Sequence, residues 1–223
     1  MKQKITQRID VDSLKSQLLQ RKITVPRFRW HASPEAAYDI LLAAYQAEVE
    51  YRQRHYTPST NTTEALMRTA QYLTGDSSKF GLMFCGTAGN GKTTLLLAIR
   101  AATNYLNDLG YFEDAKTTVT VVTGKEVIHA ADNYDTFKAL RDKPILAIDD
   151  IGHEPVEVLN YGNAKNPVID LLEYRYSEQL TTLLTTNATA EEIKNRYGRR
   201  LADRFNEMLE VIIFRDSSYR TQQ

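Results

Sequence analysis

A glycine-rich segment, GTAGNGKT at residues 86–93, constrains the fold of this chain more than any other feature of its sequence. The segment matches the pattern G-x-x-x-x-G-K-[ST], in which glycines without a Cβ let backbone N–H groups surround phosphate oxygens. An apolar run at residues 80–85 precedes it, and a helical pattern at residues 92–106 follows it. A strand, a tight turn and a helix N-terminus are the context that such a loop requires, so a chance glycine turn is a poor alternative.

The loop predicts a role for each of its polar residues. Lys92 is expected to reach the β- and γ-phosphates of a nucleotide, and the Thr93 hydroxyl is expected to bind Mg²⁺. Cys85, directly before the loop, is expected to be a small core residue rather than a reactive thiol. The candidate phosphate-binding residues are Gly86, Thr87, Ala88, Gly89, Asn90, Gly91, Lys92, Thr93 and Thr94.

Short apolar runs alternate with helical patterns after residue 75, and this alternation predicts the fold class. Strands are expected at residues 80–85, 118–122, 145–148, 181–185 and 210–214, and helices at 92–106, 125–131, 167–178 and 191–208, the last interrupted near Gly198. Strands that are apolar on both faces predict an α/β fold with a buried parallel sheet flanked by helices. We expect this core to span residues 59–223 and to follow an N-terminal helical segment, residues 1–58, that binds a partner.

Two helix signals precede the alternating strands and helices. Leu14, Leu18 and Leu19 form a short apolar stripe at helical spacing, within a stretch in which basic residues outnumber acidic ones. Asn61, with Glu64 three residues later, predicts a capping box at the start of a second helix.

Composition excludes several classes of protein. The chain has 28 basic and 28 acidic residues, so no global field directs it to nucleic acid and any such contact needs a local patch. Its single cysteine cannot form an internal disulfide, which is typical of a reducing compartment. No apolar run approaches the roughly 20 residues of a membrane-spanning helix, and the polar N-terminus lacks a signal-peptide core. We therefore expect a cytoplasmic protein with no membrane contact.

Two adjacent carboxylates follow the apolar run at residues 145–148. Asp149 and Asp150 would lie at the carboxyl end of a strand, where α/β sheets bind ligands. Asp149 is the expected ligand of Mg²⁺, and Asp150 is the expected base that polarises the attacking water. Aspartate is shorter than the glutamate common at this place in phosphate-loop ATPases, so Glu154 is an alternative base.

Three further polar residues complete the candidate catalytic set. Asn187 ends the fourth predicted strand and is expected beside the γ-phosphate and the attacking water, unless it only caps the helix that follows. Arg200 and Arg204 are four residues apart and therefore share one helical face. They suit the γ-phosphate of a neighbouring subunit, where an arginine finger adds about 10³–10⁵ to the rate. The alternative is that they pair with acidic residues along the same helix, namely Asp203 and Glu207.

Other phosphate-loop proteins match the sequence less well. A GTPase needs an Asn-Lys-x-Asp guanine-binding motif, and NAKN at residues 163–166 has no such aspartate. A transporter ATPase needs a glycine-rich LSGGQ-like signature, which this sequence lacks. A small-molecule kinase stays open, because such kinases also carry Gly-Lys-Thr, although no arginine-bearing lid is evident.

Five ordered motifs together resemble the DnaC-type helicase-loader and IstB-type transposition-helper branch of the AAA+ ATPases. They are GTAGNGKTTL, LAIDDIG, NPVIDLLEYRYSEQLTTLLTTN, RYGRRLADRFNEM and SSYR, and they span about residues 60–220. The resemblance implies an AAA+ P-loop NTPase core of five parallel strands without a helical lid, and ATP and Mg²⁺ as cofactors. It also implies self-association through an arginine finger, single-stranded DNA nearby, and a replicative helicase as the partner of the N-terminal segment.

The resemblance also assigns roles to single residues. Asn187 matches the first sensor, and Arg204 matches the arginine finger, with Arg200 as its neighbour. Arg220 in SSYR matches a second-sensor arginine that contacts the nucleotide. For DNA, the expected pore residues lie between the second and third strands: Lys125, Lys138, Arg141 and Lys143, with Tyr134 or Phe137 to stack on bases. A solvated helical face explains those basic residues equally well.

Two other functions stay open beside the helicase loader. One is a transposition helper ATPase that binds duplex DNA and a transposase. The other is a small-molecule kinase with the same phosphate loop.

Overall fold

Five parallel strands form the central sheet in the structure, a computed structural model that describes residues 10–20, 27–113, 117–155, 158–160, 163–216 and 219. The sheet strands are β1 (Gly81–Gly86), β2 (Val119–Thr123), β3 (Ile145–Ile151), β6 (Thr181–Thr186) and β7 (Leu209–Phe214). Their order is β2-β3-β6-β1-β7, and every neighbouring pair is parallel. The expected all-parallel sheet is confirmed. The sequence did not predict the antiparallel hairpin of β4 (Val158–Asn160) and β5 (Asn163–Lys165).

Eight helices are described, and most lie where the apolar pattern predicts them. They are α1 (Val11–Gln20), α2 (Pro34–Tyr51), α3 (Thr60–Thr74), α4 (Lys92–Asp108), α5 (Gly124–Ala130), α6 (Tyr134–Arg141), α7 (Pro167–Ser177) and α8 (Ala190–Met208). None of these helices is long and apolar enough to cross a membrane. The short α6 was not predicted, because its eight residues offer only a single buried side chain, Leu140, as an apolar signal.

The start of α3 differs from the predicted capping box. Ser59, not Asn61, is the N-cap, and its hydroxyl accepts a hydrogen bond of 3.0 Å from the Thr62 N–H. Asn61 lies inside the first turn, and its side-chain amide donates to Asp216 instead. The capping prediction was wrong because a long-range contact, invisible in the local sequence, uses the Asn61 side chain.

The interruption predicted in the last helix is confirmed. Gly198 has φ 83° and ψ 158° and divides α8 into two helical halves. This region of backbone space is essentially restricted to glycine. The second half of α8, which carries both candidate finger arginines, therefore runs in a direction set at this residue.

Alternate side chains of the strands bury two hydrophobic clusters on opposite faces of the sheet. In β1, Leu82 and Phe84 join the cluster formed with α2, α3 and α4, whereas Met83 joins the cluster formed with α7 and α8. In β6, Leu183 and Leu184 divide between the two clusters in the same way. This period of two is what a sheet covered on both faces requires.

Helix α2, the second of the two helices before residue 58, shares its hydrophobic core with the sheet. Leu41 and Tyr45 of α2 are buried in the same cluster as β1 and α4. Trp30 is buried there too, and its backbone N–H donates a hydrogen bond of 2.6 Å to Leu73 O. The expected boundary near residue 58 therefore does not coincide with a break in the hydrophobic core. Within the described part of the expected partner-binding segment, α1 presents its apolar side chains to solvent, and Tyr51 at the end of α2 is exposed as well.

Candidate functional site

The phosphate loop joins β1 to α4 through three glycines with positive φ. The φ angles of Gly86, Gly89 and Gly91 are 148°, 81° and 99°. A Cβ at Gly86 would lie 2.4 Å from Phe214 O, and a Cβ at Gly91 would lie 2.3 Å from Tyr45 Oη. No side chain caps the first turn of α4, since its N-cap is Gly91. The first N–H groups of α4 therefore lie beside the loop, as in an anion-binding helix terminus.

The Lys92 ammonium lies inside this loop and is held by four oxygen atoms. Only 6% of the residue is exposed. The three N–H donors of Nζ are shared among Thr87 O and Asn187 Oδ1, each at 2.7 Å, Gly86 O at 2.8 Å and Asn90 Oδ1 at 3.1 Å. The positive charge is thus fixed at the base of the loop and directed towards the end of β6.

The acidic pair lies opposite the loop, and both carboxylates face the same side. Asp149 accepts hydrogen bonds from the Thr93 hydroxyl at 2.9 Å and from the Thr185 hydroxyl at 2.6 Å. Strict alternation along β3 would point neighbouring side chains to opposite faces. The pairing of β3 with β6 is irregular here, and Asp150 has φ 57°, which turns its side chain towards Asn187.

Asn187 connects the lysine to the second aspartate. Its Oδ1 accepts from Lys92 Nζ, and its Nδ2 donates to Asp150 Oδ1 at 2.9 Å. The strand order explains this contact, because β6 lies between β1 and β3 and the carboxyl ends of all three meet at one edge. Five residues singled out from the sequence are therefore brought together: Lys92, Thr93, Asp149, Asp150 and Asn187.

A groove of about 480 Å³ opens beside this cluster. It is lined by Gly152, His153, Asn187, Ala188, Glu192, Asn195 and Arg196. His153 Nε2 lies 3.8 Å from Asp150 Oδ1, at the rim of the groove. The Asp150 side chain is itself 52% exposed, so its carboxylate has the access to solvent that a residue activating water needs.

Glu154, the alternative base, lies in a different environment. It is buried, and Oε2 accepts a hydrogen bond of 2.8 Å from the Gly152 N–H. Its other oxygen accepts a hydrogen bond from the Tyr197 hydroxyl. Burial, together with this bond to Glu154, raises the pKa of Tyr197, so the phenol remains a donor. Both oxygens of Glu154 therefore join the β3 end to α8, and these contacts favour a structural role.

Known structures share this arrangement of strands. DnaI aligns with a TM-score of 0.53 and 19% identity, over 71% of this chain and 87% of that chain. A protein of Streptococcus pyogenes serotype M3, assigned as a primosome component, aligns with a TM-score of 0.51 and 19% identity, over 80% of this chain and 98% of its own. The chain has the AAA+ fold. Domain III of the Thermotoga maritima replication initiation protein DnaA gives a TM-score of 0.50 and 15% identity, over 75% of this chain and 68% of that domain.

No sequence family and no curated protein sequence matches the chain. The structural neighbours nevertheless confirm the AAA+ fold predicted from the sequence, with five parallel strands flanked by helices.

Within this AAA+ fold, both candidate finger arginines contact one carboxylate of α7. Arg204 Nη1 lies 2.9 Å and Arg200 Nε 3.4 Å from Glu173 Oε1. Arg204 also lies 4.9 Å from the ring centre of Tyr176. Only 18% of the Arg204 side chain is exposed, against 74% for Arg200. Arg200 is therefore freer to reach a neighbouring molecule, although Arg204 is the better match to the family motif.

The alternative ion pairs along α8, Arg200 with Asp203 and Arg204 with Glu207, do not form within the described part of the chain. Asp203 lies 4.0 Å from Arg199, and Glu207 accepts a hydrogen bond from the Tyr176 hydroxyl. That alternative is wrong because α7 packs against this face of α8 and supplies the carboxylate, Glu173, from another helix.

The candidate second sensor and the DNA-binding candidates have mixed outcomes. Arg220 lies outside the described residues. Arg141 stacks 3.7 Å from the ring centre of Tyr174, and Phe137 packs against the core, so neither is free to contact bases. Tyr134 is exposed at the start of α6, and Lys125, Lys138 and Lys143 are exposed as well. Tyr134 is therefore an exposed aromatic residue at the start of α6, with the exposed Lys138 one helical turn later.

Sequence reasoning missed three residues of the site. The Thr185 hydroxyl accepts from the Asp150 N–H at 2.8 Å while donating to Asp149, so one side chain orients both aspartates. Its signal was a threonine inside a strand predicted to be fully buried. Asp216 and Tyr219 contact the loop from the opposite side, and no local pattern indicates a contact with residues more than a hundred positions away.

The chemistry of Cys85 gives a pH-dependent prediction. Burial raises the pKa of its thiol to about 11, and the nearby Lys92 charge offsets this only in part. At pH 8 the thiolate fraction is then about one in a thousand, against roughly a quarter for a free thiol. Labelling of the native protein with a thiol reagent should be slower than labelling in denaturant by about two hundredfold, the ratio of these thiolate fractions. Its rate should rise about tenfold per pH unit between pH 7 and 9.

The chain has one cysteine, so all labelling reports on this site. Rapid, pH-independent labelling of the folded protein would show instead that Cys85 is an exposed, activated thiol.

Proposed function

We propose that this chain is an ATP-binding and ATP-hydrolysing AAA+ protein that acts in DNA replication as a loader of the replicative helicase. The observation that carries the proposal is the convergence of the lysine, the threonine, both aspartates and the asparagine at the carboxyl ends of β1, β3 and β6. These groups supply a cation for phosphate, oxygen ligands for a metal and a carboxylate base. The similarity of fold to DnaI favours replication as the setting.

The residues present fit ATP and Mg²⁺. Mg²⁺ binds oxygen ligands and keeps several waters, so few protein ligands suffice. The Thr93 hydroxyl and the Asp149 carboxylate already lie within hydrogen-bonding distance of each other and would hold the ion together. When bound, Mg²⁺ neutralises charge on the β- and γ-phosphates. The glycine loop, Thr94 in the first turn of α4 and the Lys92 ammonium would hold the phosphates themselves.

Asp150 is the proposed base, and Asn187 is the proposed sensor of the γ-phosphate. The Asp150 side chain is half exposed to solvent, whereas Glu154 is buried and both of its oxygens accept hydrogen bonds. Asn187 contacts both Lys92 and Asp150, so a phosphate that draws the ammonium towards itself also changes the partners of the amide. This contact would couple nucleotide state to the position of the base.

The two acidic candidates are separated by isosteric variants. Asp150→Asn should lower the rate of ATP hydrolysis by about 10²–10⁴, the usual contribution of a general base, and leave ATP binding intact. Glu154→Gln should keep hydrolysis within a few-fold of the parent and lower the melting temperature, because a buried hydrogen-bonded carboxylate is lost. Steady-state hydrolysis, binding of a fluorescent ATP analogue and thermal melting measure these effects. The reverse pattern would make Glu154 the base.

The second part of the proposal is that an arginine of one subunit completes the nucleotide site of a neighbouring subunit. Arg200→Ala should abolish most hydrolysis and keep ATP binding, because the exposed guanidinium would complete the site of a neighbouring subunit. Mixing it with Asp150→Asn should restore part of the turnover, since mixed assemblies contain one intact interface. Arg204→Ala in the same mixture tests the family match. Arg199→Ala is the control, because its exposed side chain pairs only weakly with Asp203.

A protein active as a monomer, as a small-molecule kinase would be, shows no such complementation. Full activity of Arg200→Ala and Arg204→Ala, each measured alone, would remove the arginine finger from the mechanism.

Two exposed surfaces are the proposed binding sites for the partners. The apolar side chains of α1, namely Val11, Leu14, Leu18 and Leu19, are exposed and form the proposed helicase contact. Tyr134 and its basic neighbours form the proposed contact with single-stranded DNA. A protein acting on these partners would work in the cytoplasm.

DNA stimulation separates the loader from the transposition helper. We expect slow basal hydrolysis that single-stranded DNA stimulates more than duplex DNA of the same length. Tyr134→Ala should reduce this stimulation, since base stacking contributes about 1–3 kcal/mol per base, and the basal rate should not change. Tyr51→Ala, an exposed tyrosine on α2, is the control. Stimulation by duplex DNA alone would favour the transposition helper.

A further inference from the structure

Asp216 lies on the opposite side of the phosphate loop from the acidic pair. It follows β7, which borders β1 on the side away from β6. Its carboxylate accepts hydrogen bonds from Ser59 Oγ at 2.6 Å and from Asn61 Nδ2 at 2.5 Å. The Thr62 hydroxyl, at 3.4 Å, and the Tyr219 hydroxyl are further donors. The Asp216 carboxylate is thus hydrogen-bonded both to the start of α3 and to Tyr219.

The same cluster contacts the phosphate loop directly. The Tyr219 N–H donates to Gly89 O at 2.9 Å, and the Thr87 hydroxyl lies 3.4 Å from Asp216 O. Thr87 and Gly89 are both loop residues whose backbone would surround phosphate. The loop is therefore bordered by the Lys92 network on one side and by the Asp216 network on the other.

A third contact joins the two networks. Asn90 is fully buried, and its Nδ2 donates to Phe214 O at 3.1 Å while its Oδ1 accepts from Lys92 Nζ. The carboxyl end of β7 is thus connected both to the phosphate-binding lysine and, two residues later, to α3.

Charge keeps the cluster in its hydrogen-bonded form at neutral pH. Burial alone would raise the pKa of Asp216, but the hydrogen bonds from Asn61, Ser59, Tyr219 and Thr62 outweigh it, and the pKa is lowered. Burial and the bond to this carboxylate raise the pKa of Tyr219. The acceptor therefore stays ionised and the phenol stays protonated over the range in which the protein would work.

We infer that Asp216 is a positioning residue for the phosphate loop, which it ties through Tyr219 and Thr87 to the N-terminus of α3. This inference rests on the proposed nucleotide-binding function and deepens it, because it makes nucleotide affinity depend on α3. Asp216 acts on the loop backbone, so it governs how well phosphate is bound rather than how fast the bound nucleotide reacts.

The test compares two ways of cutting the connection between α3 and β7. Asp216→Ala removes the carboxylate that joins the start of α3 to the Tyr219 hydroxyl, and so loosens the residue whose backbone N–H bonds Gly89 of the loop. Arg68→Ala removes a contact of the same kind, from Arg68 Nη2 to Val211 O at 3.0 Å and to Glu210 at 3.8 Å, without touching the loop. Tyr219→Phe is the milder variant, since it loses the hydroxyl and keeps the N–H bond to Gly89.

We expect Asp216→Ala to raise the KM for ATP about tenfold and to leave kcat within about twofold, the effect of losing a set of positioning hydrogen bonds. Tyr219→Phe should raise the KM by a smaller factor. Asp216→Asn, which keeps one acceptor oxygen, should fall between the parent and the alanine variant. Arg68→Ala should leave the KM unchanged. Equal KM values for Asp216→Ala and Arg68→Ala would overturn the inference.

Hydrogen exchange of the protein without nucleotide provides a readout that does not depend on ATP. Amides of residues 86–91 should exchange faster in Asp216→Ala than in the parent, and no faster in Arg68→Ala. Unchanged exchange in Asp216→Ala overturns the inference even if ATP binds. A parent that binds no fluorescent ATP analogue, but shows the expected exchange pattern, supports the inference about the loop and contradicts the proposed function.

Discussion

The position of β6 between β1 and β3 is the constraint on which the candidate site depends. All three strands are parallel, so the residues that follow them meet at one edge of the sheet. The amide of Asn187, at the end of β6, can therefore touch both the lysine after β1 and the aspartate at the end of β3. β6 is buried along its whole length, and its threonine hydroxyls are used inside the protein. The strand is buried yet rich in threonine because it both fills the centre of the sheet and supplies hydroxyl groups that bond the end of β3.

The buried ammonium of Lys92 gives the site its electrostatic character. Burying a charge is costly unless hydrogen bonds compensate for it, and four oxygen atoms accept from Nζ. Charge interactions are stronger where water is excluded, so an anion that enters the loop gains more there than at an exposed lysine. The glycine backbone and the start of α4 add N–H groups at the same place. The folded loop is thus prepared for phosphate before any ligand arrives.

Local patterns predicted the parts of this molecule that depend on local physics. The loop, the five strands, the break in α8 and the meeting of Asp149, Asp150 and Asn187 follow from glycine spacing, apolar periodicity and the geometry of parallel strands. What could not be predicted depends on packing between distant segments. Glu173 pairs with Arg204 because α7 lies against α8. Asn61, which was expected to cap α3, donates its side-chain amide to Asp216 instead. The burial of Glu154 likewise depends on Tyr197, which lies 43 residues later.

The break at Gly198 has a consequence for how an interface of this protein could change. A Cβ at this position would meet no other atom within 4 Å, so space does not exclude larger residues there. What excludes them is the backbone conformation, which side-chain-bearing residues almost never adopt. The direction in which Arg200 extends therefore depends on a backbone torsion angle two residues before it, as well as on the contact with Glu173. A single substitution at 198 could redirect the arginine towards a different neighbour while leaving every residue of the nucleotide site untouched.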